Sequence, residues 1–291
     1  MVRRELRLAS DMLRHPLQRV RRTLRDARVR GDVLYPNLAT LVERHGGSSI
    51  GLTGAELKVF SQNGEDGVIA EVLRRVGTRA RTFVEFGIGA GIEGNCVFLA
   101  DVLGWAGTFI EGSESLHGLL ASKYAANDAV QALHHSVTAE NINGILNLGR
   151  SQPVVDVLSI DIDGNDYWVW KAIEAIDARL VVIEYNGSID PRKALVQPYR
   201  PHSNWDSTGS FGASLSALVQ LGQEKGYTLI HSELTGTNSF FVKDELAHAF
   251  ADLGPSVLRA ANYNLDGSTH LGGAAASSYL AIGGECSDAT S

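Results

Sequence analysis

The stretch that decides the fold is Thr82-Phe-Val-Glu-Phe-Gly-Ile-Gly-Ala-Gly91, a short apolar run that leads into a glycine cluster. Its first half favours a buried β-strand, because aromatic and β-branched side chains dominate it. The glycines let the backbone turn tightly and allow a ligand to come within contact distance. In an open α/β sheet, such a ligand binds beyond the carboxyl ends of the strands. The stretch therefore predicts a strand that leads into a binding loop.

Strands and helices alternate on both sides of this stretch. Before it, Ser61–Asp66 supplies helix-capping side chains, and the apolar residues of 68–76 repeat at helical spacing. Further strands are predicted at Gly107–Ile110, Ala129–Leu133, Val154–Ile160, Leu180–Tyr185, Tyr227–Leu234 and Ser239–Lys243, with helices near residues 94–103, 114–126, 139–149, 166–176 and 214–225. This alternation indicates an α/β fold with a largely parallel sheet. The two last strands are too close in sequence for a parallel crossover and must form an antiparallel hairpin.

The chain has 291 residues, enough for one large domain or two small ones. We predict a basic helical extension over residues 1–50, a main domain over 51–255 and a partly flexible C-terminal segment over 256–291. No apolar run approaches the length of a membrane-spanning helix, and no apolar segment of a secretory signal follows the first arginines. Cys96 and Cys286 are too few for a disulfide scaffold or a zinc finger. These features predict a cytoplasmic protein.

The charge is unevenly distributed along the chain. The net charge is −7, but ten arginines and three acids give residues 1–30 a charge of +7 and leave −14 for the remainder. An acidic body argues against general nucleic-acid binding, which needs a broad basic face. Residues 1–30 are interpreted either as an amphipathic hairpin that packs on the main domain or on a second subunit of a homo-oligomer, or as a segment that contacts a membrane surface or a partner.

Two acidic residues frame the glycine loop. Glu85 directly precedes the loop and points to a ligand with an ammonium group or other donors. Glu111 ends the next predicted strand, where a carboxylate can accept both ribose hydroxyls of a nucleoside. Ile92 stands where the dinucleotide fingerprint has glycine or alanine, which argues against a pyrophosphate site.

This combination resembles the class I S-adenosylmethionine-dependent methyltransferases. Their first motif is similar to Glu85–Gly91, and their ribose-binding acid matches Glu111. The resemblance implies a Rossmann-like, seven-stranded, mostly parallel sheet with an antiparallel last strand, helices on both faces, and S-adenosyl-L-methionine as cofactor. It also implies that residues after the third strand lie beside the adenine. The cofactor-binding residues expected on this basis are Glu85, Gly87, Gly89, Gly91, Glu111, Ser136 and Val137.

Three further segments resemble the FkbM-type O-methyltransferases, and the likeness covers residues 57–245. The segments are Phe60–Asp66, Leu158–Gly164 and Gly236–Val242. This resemblance implies methyl transfer to a hydroxyl of a sugar or of a glycosylated or secondary metabolite. The expected partner is therefore a small-molecule or saccharide acceptor.

Polar residues after the fourth and fifth predicted strands form a candidate metal site. Asp161, Asp163, Glu184 and Asn186 offer hard oxygen ligands, which suit Mg²⁺, Mn²⁺ or Ca²⁺. The layout is similar to that of the metal-dependent O-methyltransferases of the catechol and macrolide-sugar types. The alternative is that Asp163 and Asp166 only cap the following helix.

Residues 186–212 have little regular pattern, which in a compact domain is typical of a binding loop or lid. Aromatic side chains in this segment, and Trp168 and Trp170 nearby, suit a flat or sugar-like substrate, although they could equally be core residues. His202 is the candidate general base for the acceptor hydroxyl, with Asp161 and Asp163 as the other candidate catalytic residues.

Two other functions remain open. Asp161-Ile-Asp163 also matches the DxD motif of a metal-dependent glycosyltransferase, although that function leaves Glu85–Gly91 unexplained. The other is a non-catalytic binding protein on a methyltransferase fold, with the basic N-terminal segment as its working surface.

Overall fold

The computed structural model describes residues 35–48, 51–149, 153–190, 192–201, 211–253 and 279–282. The strands in these ranges are β1 (Thr82–Phe86), β2 (Ala106–Glu111), β3 (Val130–His134), β4 (Val154–Ile160), β5 (Asp177–Glu184), β6 (Leu195–Val196), β7 (Tyr227–Ser232), β8 (Asn238–Lys243) and β9 (Leu280–Ala281). The helices are α1 (Tyr35–Ser48), α2 (Gly51–Ala55), α3 (Glu65–Val76), α4 (Val97–Asp101), α5 (Glu114–Tyr124), α6 (Ile142–Leu148), α7 (Asp166–Ala172) and α8 (Leu215–Glu224), followed by a 3-10 helix (Asp244–Leu253).

Seven strands form one sheet in the order β3-β2-β1-β4-β5-β8-β7. β8 pairs antiparallel with β5 and with β7, and the other neighbouring strands pair in parallel. Glu184 of β5 faces Asn238 of β8 in the register, so β8 begins at the carboxyl edge of the parallel strands. The sheet confirms the predicted fold class.

The core lies on both faces of this sheet. Because successive side chains of a strand point to opposite faces, Phe83 of β1 joins one apolar cluster and Val84 joins the other. The first cluster packs against α3 and α4, and the second packs against α6, α7 and α8. All five residues of β1 are buried, as expected for a central parallel strand covered on both sides.

The predicted elements differ from the observed ones mainly at their ends. The helix predicted near residues 94–103 is the short helix α4, because the loop after β1 continues to Cys96. The segment predicted to lack regular structure contains β6, which pairs with β9. Residues 1–34 lie outside the described ranges, so the interpretations of the basic segment stay predictions, as do the domain boundaries. No helix within the described ranges is long and apolar enough to cross a membrane.

Candidate functional site

The glycine loop after β1 is in backbone contact with the end of β4. Gly87 and Gly89 adopt left-handed conformations, with φ of 71° and 64°. A Cβ atom at Gly87 would lie 1.7 Å from the carbonyl oxygen of Asp161, so only glycine fits there. At Gly89 a Cβ atom would meet no heavy atom of the described residues within 4 Å. The first glycine therefore joins two strand ends, and the second leaves open space.

Glu111 holds the glycine loop in place from the end of β2. Its Oε2 accepts a hydrogen bond from the backbone N–H of Gly89 (2.7 Å), and its Oε1 accepts one from Ser113 (2.7 Å). The side chain is buried, at 6% exposure. Each carboxylate oxygen accepts one bond here and has capacity for another, so Glu111 can bind a ligand hydroxyl without releasing the loop.

A cavity of about 590 Å³ extends along the carboxyl edge from this loop. Its described lining residues are Gly87, Gly89, Ile110, Glu111, Gly112, Ser113, Leu116, His135, Ser136, Val137, Asp161, Ile162, Asp163, Asn165 and Pro201. The structure therefore brings most of the residues predicted to bind the cofactor to one cavity. Gly91 is not among them, because it packs against α5, where a Cβ atom would lie 2.6 Å from Leu120 Cδ1. Its carbonyl oxygen accepts a hydrogen bond from Lys123 Nζ (2.5 Å).

Glu85 lies behind the loop and anchors the chain that follows it. Its two carboxylate oxygens accept hydrogen bonds from the backbone N–H groups of Asn95 (2.7 Å) and Cys96 (3.0 Å). Burial raises the pKa of Glu85 to about 7; the charge of Asp66 acts in the same direction, and these hydrogen bonds act against it. Glu85 therefore has a structural role beyond the ligand contact that the sequence suggested.

A second cavity, of about 170 Å³, adjoins the first at Gly87 and Asp161. Its described lining includes Gln62, Glu85, Phe86, Ile88, Glu93, Gly94, Asn95 and Asn238. Neither cavity has a lysine or arginine among its described lining residues, whereas five carboxylates line the two together. The site therefore favours a ligand that carries positive charge.

Three acids meet between the ends of β4 and β5. One oxygen from each of Asp161, Asp166 and Glu184 lies within 4.8 Å of the others. Glu184 Oε2 is buried and has no hydrogen-bond partner among the described residues. Burial and the neighbouring acids raise the pKa values of Asp161 and Glu184. Burial also raises the pKa of Asp166 to about 6. Such a cluster can hold a divalent cation or, without one, retain protons near neutral pH.

Of the other predicted metal ligands, Asp163 lies outside this acidic cluster and Asn186 has other hydrogen-bond partners. Asp163 is exposed, has a φ of 56° and lines the large cavity instead. Asn186 is buried, and its Nδ2 donates to the carbonyl oxygen of Phe211 (3.0 Å) while its Oδ1 accepts from the N–H of Ser188 (3.0 Å). Its amide therefore joins the two ends of the predicted lid.

Asp166 takes the place of Asp163 in the acidic cluster. The sequence suggested it only as a helix cap, and it does accept hydrogen bonds from the N–H groups of Ile162 (2.8 Å) and Gly164 (2.9 Å). The pattern alone could not show that the same carboxylate also reaches Asp161 and Glu184.

The first half of the predicted lid runs along the large cavity. Trp168 Nε1 donates to the carbonyl oxygen of Gln197 (2.8 Å), and Asn165 Nδ2 donates to that of Arg200 (2.8 Å). Tyr199 packs against Trp168 with ring centroids 6.0 Å apart. Trp170 is a core residue at 1% exposure. His202 lies outside the described residues, so its role as a base stays a prediction.

A comparison with solved structures finds methyltransferases among the similar chains, at low sequence identity and low TM-score. No protein-family model and no curated protein matches the chain. The N-terminal domain of EvdMO1 with SAH bound is 13% identical, with a TM-score of 0.40 over 61% of this chain and 79% of that one. An O-methyltransferase from Bacillus cereus in complex with SAH is 15% identical, with a TM-score of 0.40 over 73% of this chain and 91% of that one. The mitomycin 7-O-methyltransferase MmcR is 15% identical, with a TM-score of 0.36 over 61% of this chain and 56% of that one.

Proposed function

We propose that this chain is an S-adenosylmethionine-dependent O-methyltransferase that acts on a hydroxyl of a sugar or of a glycosylated or secondary metabolite. The observation that carries the proposal is the placement of Glu111 and Gly89 on one wall of the 590 Å³ cavity, with Ser136 and Val137 also lining it. A cavity of this volume is within the range of small-molecule sites.

The two cavities divide the binding of the cofactor between them. Glu111 would accept the ribose hydroxyls, and Ile110, Leu116 and Val137 would pack against the base. The amino-acid end would extend past Gly87 toward Asp161. When bound, S-adenosylmethionine supplies a methyl group on a positively charged sulfur. The carboxylates of both cavities complement that charge, and the backbone contact at Gly87 holds the strand ends that surround it.

The acceptor hydroxyl needs a group that takes its proton as the methyl is transferred. Asp161 lines both cavities, so its carboxylate, when ionised and not bound to a metal, is placed to accept that proton. Asp161 is therefore a candidate base alongside His202. Trp168 and Tyr199, which pack against each other, would offer aromatic surface to a sugar ring.

We propose Asp161, Asp166 and Glu184 as the ligands of a Mg²⁺ or Mn²⁺ ion in place of the set first predicted. The unpartnered oxygen of Glu184 and the purely oxygen donor set fit such an ion. An ion there would supply positive charge that favours the ionised form of the acceptor hydroxyl. We expect Mn²⁺ to raise the unfolding temperature of the wild type but not of Asp161→Asn. An equal rise in both proteins would remove the metal from the proposal.

The cofactor proposal is tested by calorimetry with S-adenosylhomocysteine. We expect Glu111→Gln to bind about 10- to 100-fold more weakly, because hydrogen bonds to a charged group contribute about 1.5–3 kcal/mol. Glu114→Gln is the matched control, since Glu114 is an exposed acid nearby that lines neither cavity. Absence of binding to the wild type at millimolar ligand would overturn the proposal, and binding of a nucleotide sugar instead would favour the glycosyltransferase.

A further inference from the structure

The described chain begins beside the glycine loop. Tyr35, the first residue of α1, packs edge-on against Phe60, with ring centroids 6.4 Å apart. The carbonyl oxygen of Phe60 accepts a hydrogen bond from the N–H of Gly94 (3.1 Å), in the loop that follows β1. Residues 1–34, which lie outside the described ranges, therefore join the described structure next to this loop.

Exposed apolar side chains lie beside the entrances of the two cavities. Ile92 is 77% exposed, Leu119 is 59% exposed and Leu116 is 39% exposed. Ile92 directly follows Gly91, which packs against α5, and α5 carries both leucines. Leu116 lines the large cavity, and Glu93 lines the small one. We call Ile92, Glu93, Leu116 and Leu119 the mouth surface, and grouped exposed apolar side chains of this kind mark an interaction site.

The charge of this region favours a basic partner. The two cavities are lined by five carboxylates and by no described lysine or arginine. Of the nearby lysines, Lys58 donates to the carbonyl oxygen of Gln62 (2.6 Å). Lys123 donates to that of Gly91 (2.5 Å) and is paired with Asp101 at 2.7 Å. The acids therefore outnumber the cations around the mouth surface, and the resulting field attracts positive charge.

The basic segment at the start of the chain has the matching properties. Ten arginines and three acids give residues 1–30 a charge of +7. Leu17, Val20 and Leu24 follow one another at spacings of three and four residues, which predicts an apolar stripe between the arginines. Only residues 31–34 separate this segment from Tyr35, so the chain holds it near the mouth surface at a high effective concentration. A free partner of equal charge lacks this advantage.

We propose that residues 1–30 dock on the mouth surface of the same chain, with their apolar stripe on its exposed apolar side chains and their arginines facing the carboxylates. The docked segment lies across the entrances of both cavities and restricts exchange of the ligand that they hold. The docking is independent of the proposed methyltransferase function, because it depends only on the surface around the cavities. The restriction of ligand exchange rests on that function.

Trypsin cleavage of the full-length chain measures the docking. The segment contains ten arginines, and a docked segment is cleaved only when it dissociates. A synthetic peptide of residues 1–30 gives the rate without docking in the same buffer. We expect cleavage within this segment, followed by mass spectrometry, to be at least about tenfold slower in the full-length chain than in the peptide at low salt. The difference should shrink in about 0.5 M NaCl, because salt screens the charges.

The double variant Ile92→Ser/Leu119→Ser locates the docking. We expect it to raise the cleavage rate of the segment at least about threefold. Its unfolding temperature should stay that of the wild type, because both side chains are exposed. Leu148→Ser is the matched control, since Leu148 is 62% exposed but ends α6 shortly before β4 begins, at the opposite edge of the sheet. This control should keep the wild-type rate.

Equal cleavage of the peptide and the full-length chain would overturn the inference. Protection that survives in the double variant would also overturn it, because the segment would then dock elsewhere. Protection that rises with protein concentration would indicate that the partner is a second copy of the chain. Protection that requires vesicles of phosphatidylserine and phosphatidylcholine would indicate a membrane surface. Either of these two results would refute docking within one chain.

The restriction of ligand exchange is tested by the dissociation rate of S-adenosylhomocysteine. We expect the double variant to release this ligand at least about threefold faster than the wild type and Leu148→Ser to release it at the wild-type rate. Neither Ile92 nor Leu119 lines a cavity, so the change would not come from a lost ligand contact. Equal rates in all three proteins would refute the restriction. Failure of the wild type to bind S-adenosylhomocysteine would instead remove the proposed function, and the trypsin results would still decide the docking.

Discussion

Gly89→Ala should separate the folding of the loop from its role in binding. A residue with a Cβ atom at the φ of 64° costs about 1–2 kcal/mol, which corresponds to a fall in unfolding temperature of about 2–8 °C. No further loss is expected, because a Cβ atom there meets no described heavy atom within 4 Å. Since Gly89 lines the large cavity beside Glu111, the added methyl group should instead obstruct the ribose position. We expect calorimetry to show binding of S-adenosylhomocysteine weakened by at least about tenfold.

Two other glycines calibrate this result. Gly104 has a φ of 66° and similarly open surroundings in the described structure, but it lies in the turn before β2 and lines neither cavity. Gly104→Ala should show the same fall in unfolding temperature and full binding. Gly87→Ala should not fold stably, because its Cβ atom would overlap the carbonyl oxygen of Asp161. Wild-type affinity in Gly89→Ala, or an equal loss in Gly104→Ala, would refute the assignment of the loop to the cofactor.

Three further outcomes follow from charged side chains. The raised pKa of Glu233 means that the folded chain binds its proton more tightly than the unfolded chain, so this group's contribution to stability is lost as the pH rises from about 4.5 to about 7. In denaturant titrations, the free energy of unfolding of Glu233→Gln should therefore equal that of the wild type at pH 4.5 and exceed it by up to about 3 kcal/mol at pH 8. A lower free energy of unfolding than the wild type at pH 8 would contradict this. Asp156 is 0% exposed and accepts hydrogen bonds from the backbone N–H groups of residues 79–81. Asp156→Asn should therefore lower the free energy of unfolding by about 2–3 kcal/mol. Because these residues line neither cavity, the affinity for S-adenosylhomocysteine should not change. Lys123→Met should weaken binding of S-adenosylhomocysteine by a few-fold, because the hydrogen bond from Lys123 to the Gly91 carbonyl is lost. Unchanged affinity would show that the glycine loop keeps its conformation without this bond.

The sheet could be predicted from the sequence because its strands are short apolar runs separated by helical patterns. Thr82–Phe86 illustrates this. The strand is buried on both faces and is therefore largely apolar, so its own composition identifies it without knowledge of the strands beside it. β6 and β9 could not be found in the same way. Each has only two residues, and they are far apart in the sequence, so their pairing depends on where the rest of the chain places them.

The shared location of the residues proposed to bind the cofactor was predictable for a related reason: they follow directly from strand ends. Gly87, Gly89 and Glu111 each lie at or just after the end of a parallel strand, and such ends share one edge of the sheet. The acidic cluster proposed to bind a metal was only partly predictable. Asp161 and Glu184 lie at strand ends, but loop geometry decides that Asp166 rather than Asp163 turns toward them. No spacing rule in the sequence specifies that geometry.

The acids at the carboxyl edge hold its loops as well as setting its charge. Asp66 Oδ2 accepts hydrogen bonds from the backbone N–H groups of Val59, Phe60 and Ser61, at 2.8, 2.7 and 2.7 Å. Glu85, Glu111, Asp166 and Glu233 each accept at least two backbone bonds in the same manner. Backbone donors thus offset part of the cost of burying these charges, although they supply no net positive charge.

Substitution can separate the hydrogen bonds of Asp66 from its charge. Replacing Asp66 with asparagine keeps an acceptor for the three N–H groups, whereas replacing it with alanine leaves all three without one. We therefore expect Asp66→Ala to destabilise the fold by several kcal/mol and Asp66→Asn by much less, as measured by denaturant unfolding. Equal losses would mean that the charge of Asp66, and not its hydrogen bonds, holds the loop.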